Sequence, residues 1–593
     1  MKMRLFFSVL MLAATATAAD DAVVRAMKDE LARSMKKLQL ENLQKPYFIA
    51  YRMTDLDSCT VTASFGALVS SECPTAERGR RRMLSVEVRV GDYNRDNTNF
   101  YAFQLGVAGV VRNFVIGGMG ISIDDNYDEI RRQLWVATDS GYKEALDVYA
   151  KKKAALEHRT RTDDAPDFSK EAAVTDSEIM PRLELKASDA EAMVKSLSSL
   201  FRKAPGIDNS EVQLSATNEL VRYINSEGTA FTRQTPLLSL TARADTQASD
   251  GMPLSDFEAI YAHSLAELPA REELAKRIQA LETRLQNLRT AALVERYTGP
   301  VLFEGEAAAE LVSQSLGNAV LGMPRLVVDD VRFERIFGSD EGALTDKLGG
   351  RVMPEFLSLT DNAAAREFQG QALFGGYQVD DDGVKSRPTV LVDKGTLKTM
   401  LRTRALIHGT TDSSASRRGR GPMPSNLMLS SEKALTSEQI KAELIRLIKD
   451  RGKEYGVLIR RIGNSAQAQS LARGRTIIIT SRGGGNGVEI EPVLEAYKVY
   501  PDGREELVRN LNIQGFTLAA FKDILAVSDK PTVTTAPFRS KRVSPVLSGF
   551  TINATPTLVS VAAPSLLIDD LTLQRPSGEV PNLPFTKHPY FEK

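Results

Sequence analysis

Apolar side chains recur in steps of three and four near the start of the chain. Val23, Val24, Met27, Leu31, Met35 and Leu38 fall on one face with charges between them, which predicts an amphipathic helix over residues 20–41. From Pro46 the period changes to two. PYFIAYRMTD, CTVTASFGALVSSE and MLSVEVRVGD alternate or run β-branched between turn residues, so they are expected as strands. The basic cluster Arg78, Arg80, Arg81 and Arg82 between two of them is expected as a solvated loop. Helical spacing returns over 127–160, with Leu134, Trp135, Ala145 and Leu146 as core candidates.

An Asp-, Thr- and Pro-rich stretch over 161–176 predicts a mobile linker. Strands are expected again around EVQLSATNELVRYINSEGTAFTRQTPLLSLTARA, with SEG as the hairpin turn. A long helix is expected over 264–294 from Leu274, Ile278, Leu281, Leu285 and Leu288. At Thr298-Gly299-Pro300 the character shifts to strands and glycine turns, and the main domain boundary is placed there. RTIIIT, VEIEPVLEAYKVY and REELV read as strands, LVSVAAPSLLIDDLTLQ as buried strands, and the last dozen residues as a tail.

At 593 residues the chain is too long for one core. Lys and Arg number 76 against 76 Asp and Glu, so no global charge recruits nucleic acid or anionic lipid. The first residues, MKMRLFFSVLMLAATATAAD, have the order of an export signal: Lys2 and Arg4, an apolar run from Leu5 to Ala13, then the small-residue site Ala16-Thr17-Ala18. That run is too short to span a bilayer, and no later stretch is long and apolar enough. An exported mature protein, periplasmic or extracellular and not membrane-spanning, is the expectation. Export makes a Cys59–Cys73 disulfide across a hairpin around Gly66 the favoured pairing over two separate buried thiols.

Candidate chemistry is sparse. Glu306 and Glu310 sit four apart on a predicted helix over 306–320, where surface positions on an Ala-rich helix are the plainer reading. No histidine accompanies them, and two carboxylates alone are a poor zinc site. The four histidines, His158, His263, His408 and His588, never fall at ligand spacing, and no cysteine follows Cys73. Ser481 to Gly487 (SRGGGNG) lacks the Lys-Ser/Thr ending of a phosphate loop and reads as a hairpin tip. Asp380, Asp381, Asp382 and Gly383 depart from EF-hand spacing and read as a tight turn. Ser430 and Lys433 match S-x-x-K without companion motifs.

Residues 374–431 nevertheless resemble the C-terminal domain of the TldD/PmbA family. The resemblance rests on Asp382-Gly383-Val384, on Leu391 to Leu397 (LVDKGTL), on Ser416-Arg417-Arg418 and on Pro424-Ser425-Asn426, and continues through GPVLFEGEAAAELVSQSL and VEIEPVLEAYKVYPDGREELV. It covers most of 298–530, and PYFIAYRMTD looks like the exported branch. It implies a two-part α+β fold, and with the leader and the boundary read above the chain divides into a signal peptide over 1–18, N-terminal strands and helices over 19–297, a β-rich domain over 298–535, and strands and a tail over 536–593.

TldD-type relatives are metallopeptidases with HExxxH on a helix and a later cysteine ligand. Aligned on that helix, this chain has Ala309, Glu310 and Gln314 where His, Glu and His would stand. The departure resembles the TldE/PmbA type, which lacks the motif and pairs with a TldD-type subunit. It implies no metal in this chain, zinc in an HExxxH-bearing partner, and unfolded peptides as substrate. Glu310, Glu306 and His408 are the candidates for any residual catalysis.

Overall fold

A computed structural model describes residues 21–74, 79–101, 115–157, 165–328, 342–419, 421–464, 488–509, 511–538, 540, 557–576 and 580–586. The signal segment, Arg78, His158, the strand RTIIIT, the tip Ser481 to Gly487, and the tail from residue 587 on, with His588, lie outside these residues.

The first half is an antiparallel sheet with one parallel edge. Its strands lie in the order Val115–Ile121, Arg80–Val90, Pro46–Ser64, Asn209–Asn225, Ala230–Gln247, Thr175–Ile179. Ala67–Glu72 adds beside Pro46–Ser64, and Pro253–Ala262 beside Ala230–Gln247. The long central strands pair from Ala50 against Asn225 to Ala63 against Val212. Ile49, Tyr51 and Met53 alternate toward helices Ala22–Lys37 and Tyr127–Glu157, the core also holding Val23, Met27, Leu134 and Ala145. Farther along the sheet, Val61 and Ala63 join Leu214 and Leu238 under helices Ala187–Ser198 and Arg271–Thr290.

Several expectations are corrected here. Trp135, expected in the core, is 50% exposed, because its neighbour Leu134 takes the inward position. Arg82, expected in a loop, is buried within the strand Arg80–Val90 and donates to Asp55 and Asp125, the latter at 2.8 Å. The linker expectation also fails for its described part. Asp167, Phe168 and Ser169 are buried, and Thr175–Ile179 is a strand. The long helix spans only Arg271–Thr290, since Pro253–Ala262 is a strand and His263 follows it. Its five predicted apolar positions are all buried.

Cys59 and Cys73 are disulfide-bonded, continuing the register in which Thr60 faces Glu72. The hairpin turns at Phe65 and Gly66, both at positive φ, the primed geometry that suits the right-handed twist of two strands.

The second half packs two sheets around one core. One runs Ala292–Leu293, Glu505–Arg509, Val493–Val499, Gly456–Ile462, Arg296–Phe303, Leu566–Gln574, Asn512–Gln514, with Ile524–Val527 also beside Leu566–Gln574. The other runs Thr396–Leu397, Thr389–Asp393, Leu357–Asp361, Asn426–Ser431, Leu558–Ala563, Thr532–Pro537. Helix Glu306–Gln314 contributes Ala307, Ala308, Ala309 and Leu311 to the core between them. Helix Ser437–Asp450 covers the first sheet from outside through Ile440, Leu444 and Ile448. It starts at a reciprocal Thr436–Gln439 capping box. The protein is therefore an α+β molecule in two parts.

Candidate functional site

The expected helix over 306–320 ends at Gln314, and a separate turn of helix, Leu316–Ala319, follows. Gly305 at φ +58° turns the chain out of strand Arg296–Phe303 and into the helix. The alanines Ala307 to Ala309 are each fully buried, so the helix lies against the strands Gly456–Ile462, Leu558–Ala563 and Thr532–Pro537 without bulky side chains between. A buried helix carries its polar residues inward too.

Glu310 is accordingly buried, which corrects the surface expectation for it, whereas Glu306 one turn earlier is exposed. The reason is position. Glu306 opens the helix at its rim, where it lies 3.5 Å from Arg461 Nε, and Glu310 comes one turn deeper. Burial drives the Glu310 carboxyl up to about 7, against the hydrogen bonds from Gln314 and Asn464, with Glu306 and Glu491 adding repulsion.

Gln314 holds this region together. Its Nε2 donates to Glu310 Oε2 at 3.0 Å and to the Gly463 carbonyl at 2.8 Å. Its Oε1 accepts from the Glu491 backbone N–H at 2.9 Å. Asn464 Nδ2 points at both Glu310 oxygens, at 3.4 and 3.3 Å. One amide thus ties the helix to the chain after Gly456–Ile462 and to the chain before Val493–Val499.

This donor set does not fit zinc. Ala309 ends in a methyl group, and both hydrogen-bonding ends of the Gln314 amide are already engaged by protein groups. Both cysteines of the chain are used in the disulfide. Among the described residues no three His, Cys, Asp or Glu side chains are grouped as a metal site would require. His408 is exposed on the turn after the buried Ile407, whereas Glu310 accepts from Gln314 and Asn464. What the arrangement holds is a buried carboxyl of raised proton affinity, enclosed by two side-chain amides.

Arg461 carries the helix rim across to the first half. It donates to Glu258 at 3.1 Å and to the Phe257 carbonyl at 2.8 Å, in the strand Pro253–Ala262. A second junction forms at the acidic turn. Gly383 at φ +81° closes a turn in which its N–H donates to the Asp380 carbonyl, as expected. Asp380 is raised by its burial and by Asp382. Burial acts against the charge of Asp381 as well, but Arg52 and Arg233 outweigh it and hold that carboxyl below the usual range. Asp382 takes Arg417 and the Arg404 N–H. Arg404 then reaches Glu227 at 2.6 and 2.8 Å and stacks over Phe168 at 3.8 Å. Asp381 and Asp382 are thus taken by arginine side chains, and Asp380 by the backbone N–H groups of Asp382, Val384 and Arg417.

Residues 296–575 match the family model for the PmbA/TldA metallopeptidase C-terminal domain. This stretch, nearly half of the chain, is a TldD/PmbA-family domain. A metalloprotease of Methanocaldococcus jannaschii is 37% identical over 65 residues, which is 11% of this chain and 13% of that relative's length. The fold is shared across almost the whole molecule. A Thermotoga maritima protein described as a modulator of a DNA gyrase superposes with TM-score 0.56 at 15% identity, covering 93% of this chain and 99% of the other. TldE from Thermococcus kodakarensis gives 0.52 at 14% identity, covering 92% and 99%. The similarity therefore extends well beyond the matched domain, through the N-terminal sheet.

Sequence reasoning alone finds Glu310 and, through the family's helix motif, Ala309 and Gln314. It gives no sign of Asn464, Gly463, Glu491 or Arg461, which are more than 140 positions away and reach the helix only through sheet pairing. The one local signal is the Glu–Gln pair four residues apart.

Proposed function

We propose that this chain is the metal-free partner subunit of a heteromeric peptidase that acts on unfolded peptides in the cell envelope, with zinc held by an HExxxH-bearing subunit. The observation that carries the reading is the Gln314 amide. Aligned on the family's helix motif it stands where a metal-ligating histidine would, and it spends its hydrogen bonds on Glu310, Gly463 and Glu491. A subunit without its own metal contributes enclosure and binding surface instead of bond cleavage. The leader-like first residues support an envelope location. No helix among the described residues is long and apolar enough to cross a membrane. The neutral charge balance supplies no electrostatic footprint for DNA.

Co-expression with an HExxxH-bearing relative tests this. The purified chain alone is expected to leave an unstructured peptide intact and to carry no stoichiometric transition metal, while the pair cleaves it. Unaided hydrolysis together with a tightly held metal would replace this reading with an active peptidase of non-standard site. Absence of any complex would leave a stand-alone envelope binding protein.

A further inference from the structure

The strand Ala230–Gln247 changes partner along one of its edges. Residues Ala230 to Gln234 pair in parallel with Thr175–Ile179, and Leu238 to Gln247 pair with Pro253–Ala262. The two partner strands meet end to end, and around Pro236 neither covers the edge. A cleft of about 350 Å³ opens there, lined by Met180, Pro181, Leu183, Pro236, His263 and Leu265 among others. That volume is on the scale of small-ligand pockets, about 300–1,000 Å³. The His263 ring, 4.8 Å from that of Phe374, has Nδ1 2.9 Å from the Pro236 carbonyl, which fixes one wall. Arg182, Glu184 and Glu267 bring both charges to the rim.

The strand leading into the cleft is the last of its sheet among the described residues. In a parallel ladder the residues of one strand point their backbone groups alternately inward and outward. The Val174 carbonyl accepts from Ala230 N–H and the Met180 N–H donates to the Gln234 carbonyl, so the even-numbered residues face the sheet. The N–H and C=O groups of Thr175, Ser177 and Ile179 therefore face outward. Ile179 and Leu265, beside the cleft, are 55% and 41% exposed. An edge with no strand beside it among the described residues and a partly apolar cleft in line with it form a continuous feature.

We propose that the outer edge of Thr175–Ile179 and the adjoining cleft dock an extended peptide, which adds as a further strand and places an apolar side chain among Met180, Leu183 and Leu265. The choice of ligand rests on the peptidase-partner reading, and the docking site is separate from the Glu310 region. Size selects the occupant. Five residues offer about 17 Å of edge, whereas a stable interface between two folded copies needs about 1,200–2,000 Å². A short, unfolded strand matches the edge, and its alternate side chains give the cleft something to select.

The test uses the full mature chain and a fluorescein-labelled, unstructured dodecapeptide with a central Leu-x-Phe, read by anisotropy. Ser177→Pro removes an outward N–H and leaves the inward ladder intact, and Leu265→Asp puts a charge at the cleft. Each is expected to weaken binding at least tenfold, and added peptide is expected to slow amide exchange at Ser177 and Ile179. Unchanged affinity in a folded Leu265→Asp variant, with no added protection at those amides, would overturn the proposal. So would a dimer in sedimentation that Ser177→Pro abolishes, since the edge would then serve self-association. A pair that fails to cleave while peptide still binds this edge would sink the subunit role alone. Cleavage by the pair, with binding indifferent to both variants, would sink the docking site alone.

Discussion

Replacing Glu310 by glutamine isolates the energetic cost of the buried carboxylate at constant shape. The folded-state value is about 7, against 4.5 for the free group, so this group is raised on folding. Between those two values the folded protein holds a proton that the unfolded chain has lost, and stability falls as pH rises through the window. About two and a half units correspond to about 3 kcal/mol of destabilisation once pH exceeds the folded value. Glutamine carries no charge, so that penalty is absent from the variant. It also turns a second donor toward Asn464, which costs about 1 kcal/mol at every pH unless the Asn464 amide rotates. The groups that face Glu310 are Gln314 and Asn464, with Glu306 and Glu491 nearby.

Hydrogen exchange in the strands Gly456–Ile462 and Val493–Val499, corrected for the intrinsic pH dependence, reads the local opening energy without requiring two-state unfolding of the whole chain. In the wild-type protein that energy is expected to decline from pH 5 to pH 8. In Glu310→Gln the decline should be smaller, the two curves diverging by up to about 3 kcal/mol. Parallel curves would mean that the carboxyl is either solvated or charged throughout, and the account of the site would be wrong.

Two other perturbations probe the frame around the site. Arg404→Ala removes a guanidinium that binds Glu227, the Ser169 carbonyl and the Phe168 ring. It should cost about 3–5 kcal/mol by stranding Glu227, and calorimetry should show separate transitions for the two halves; a single unshifted transition would show that the junction is not coupled through this residue. Cys59→Ser opens the hairpin staple and should lower stability by about 3 kcal/mol, seen as an earlier melt that reductant reproduces in the wild-type chain. Equal melting of all three samples would remove the disulfide from the account.

Periodicity was enough for the elements whose residues act locally. Val23, Met27 and Leu31 face one way on a helix whatever else the chain does, and the alternation from Pro46 onward can be satisfied only by a strand with an inward face. Gly383 and the Phe65-Gly66 corner were likewise legible as turns, because turn chemistry is written in two to four residues. The family's helix motif drew attention to Gln314, whose amide hydrogen bonds the structure then supplied.

What the chain order could not convey was which neighbours distant segments would supply. Leu134 and Trp135 are both apolar, and only the packing of helix Tyr127–Glu157 on the sheet decided that Leu134 is covered and Trp135 is not. Arg82 read as one member of a basic run until Asp55 and Asp125 were brought to it from 27 and 43 residues away. Glu310 read as a surface acid because an Ala-rich helix is equally at home in water and between two sheets. The sheets buried it, and they brought Gly463, Asn464 and Glu491 to close around Gln314. Burial and pairing are long-range properties, set by the free energy of the whole packed arrangement, so a residue's own stretch of sequence limits its secondary structure but leaves its environment open.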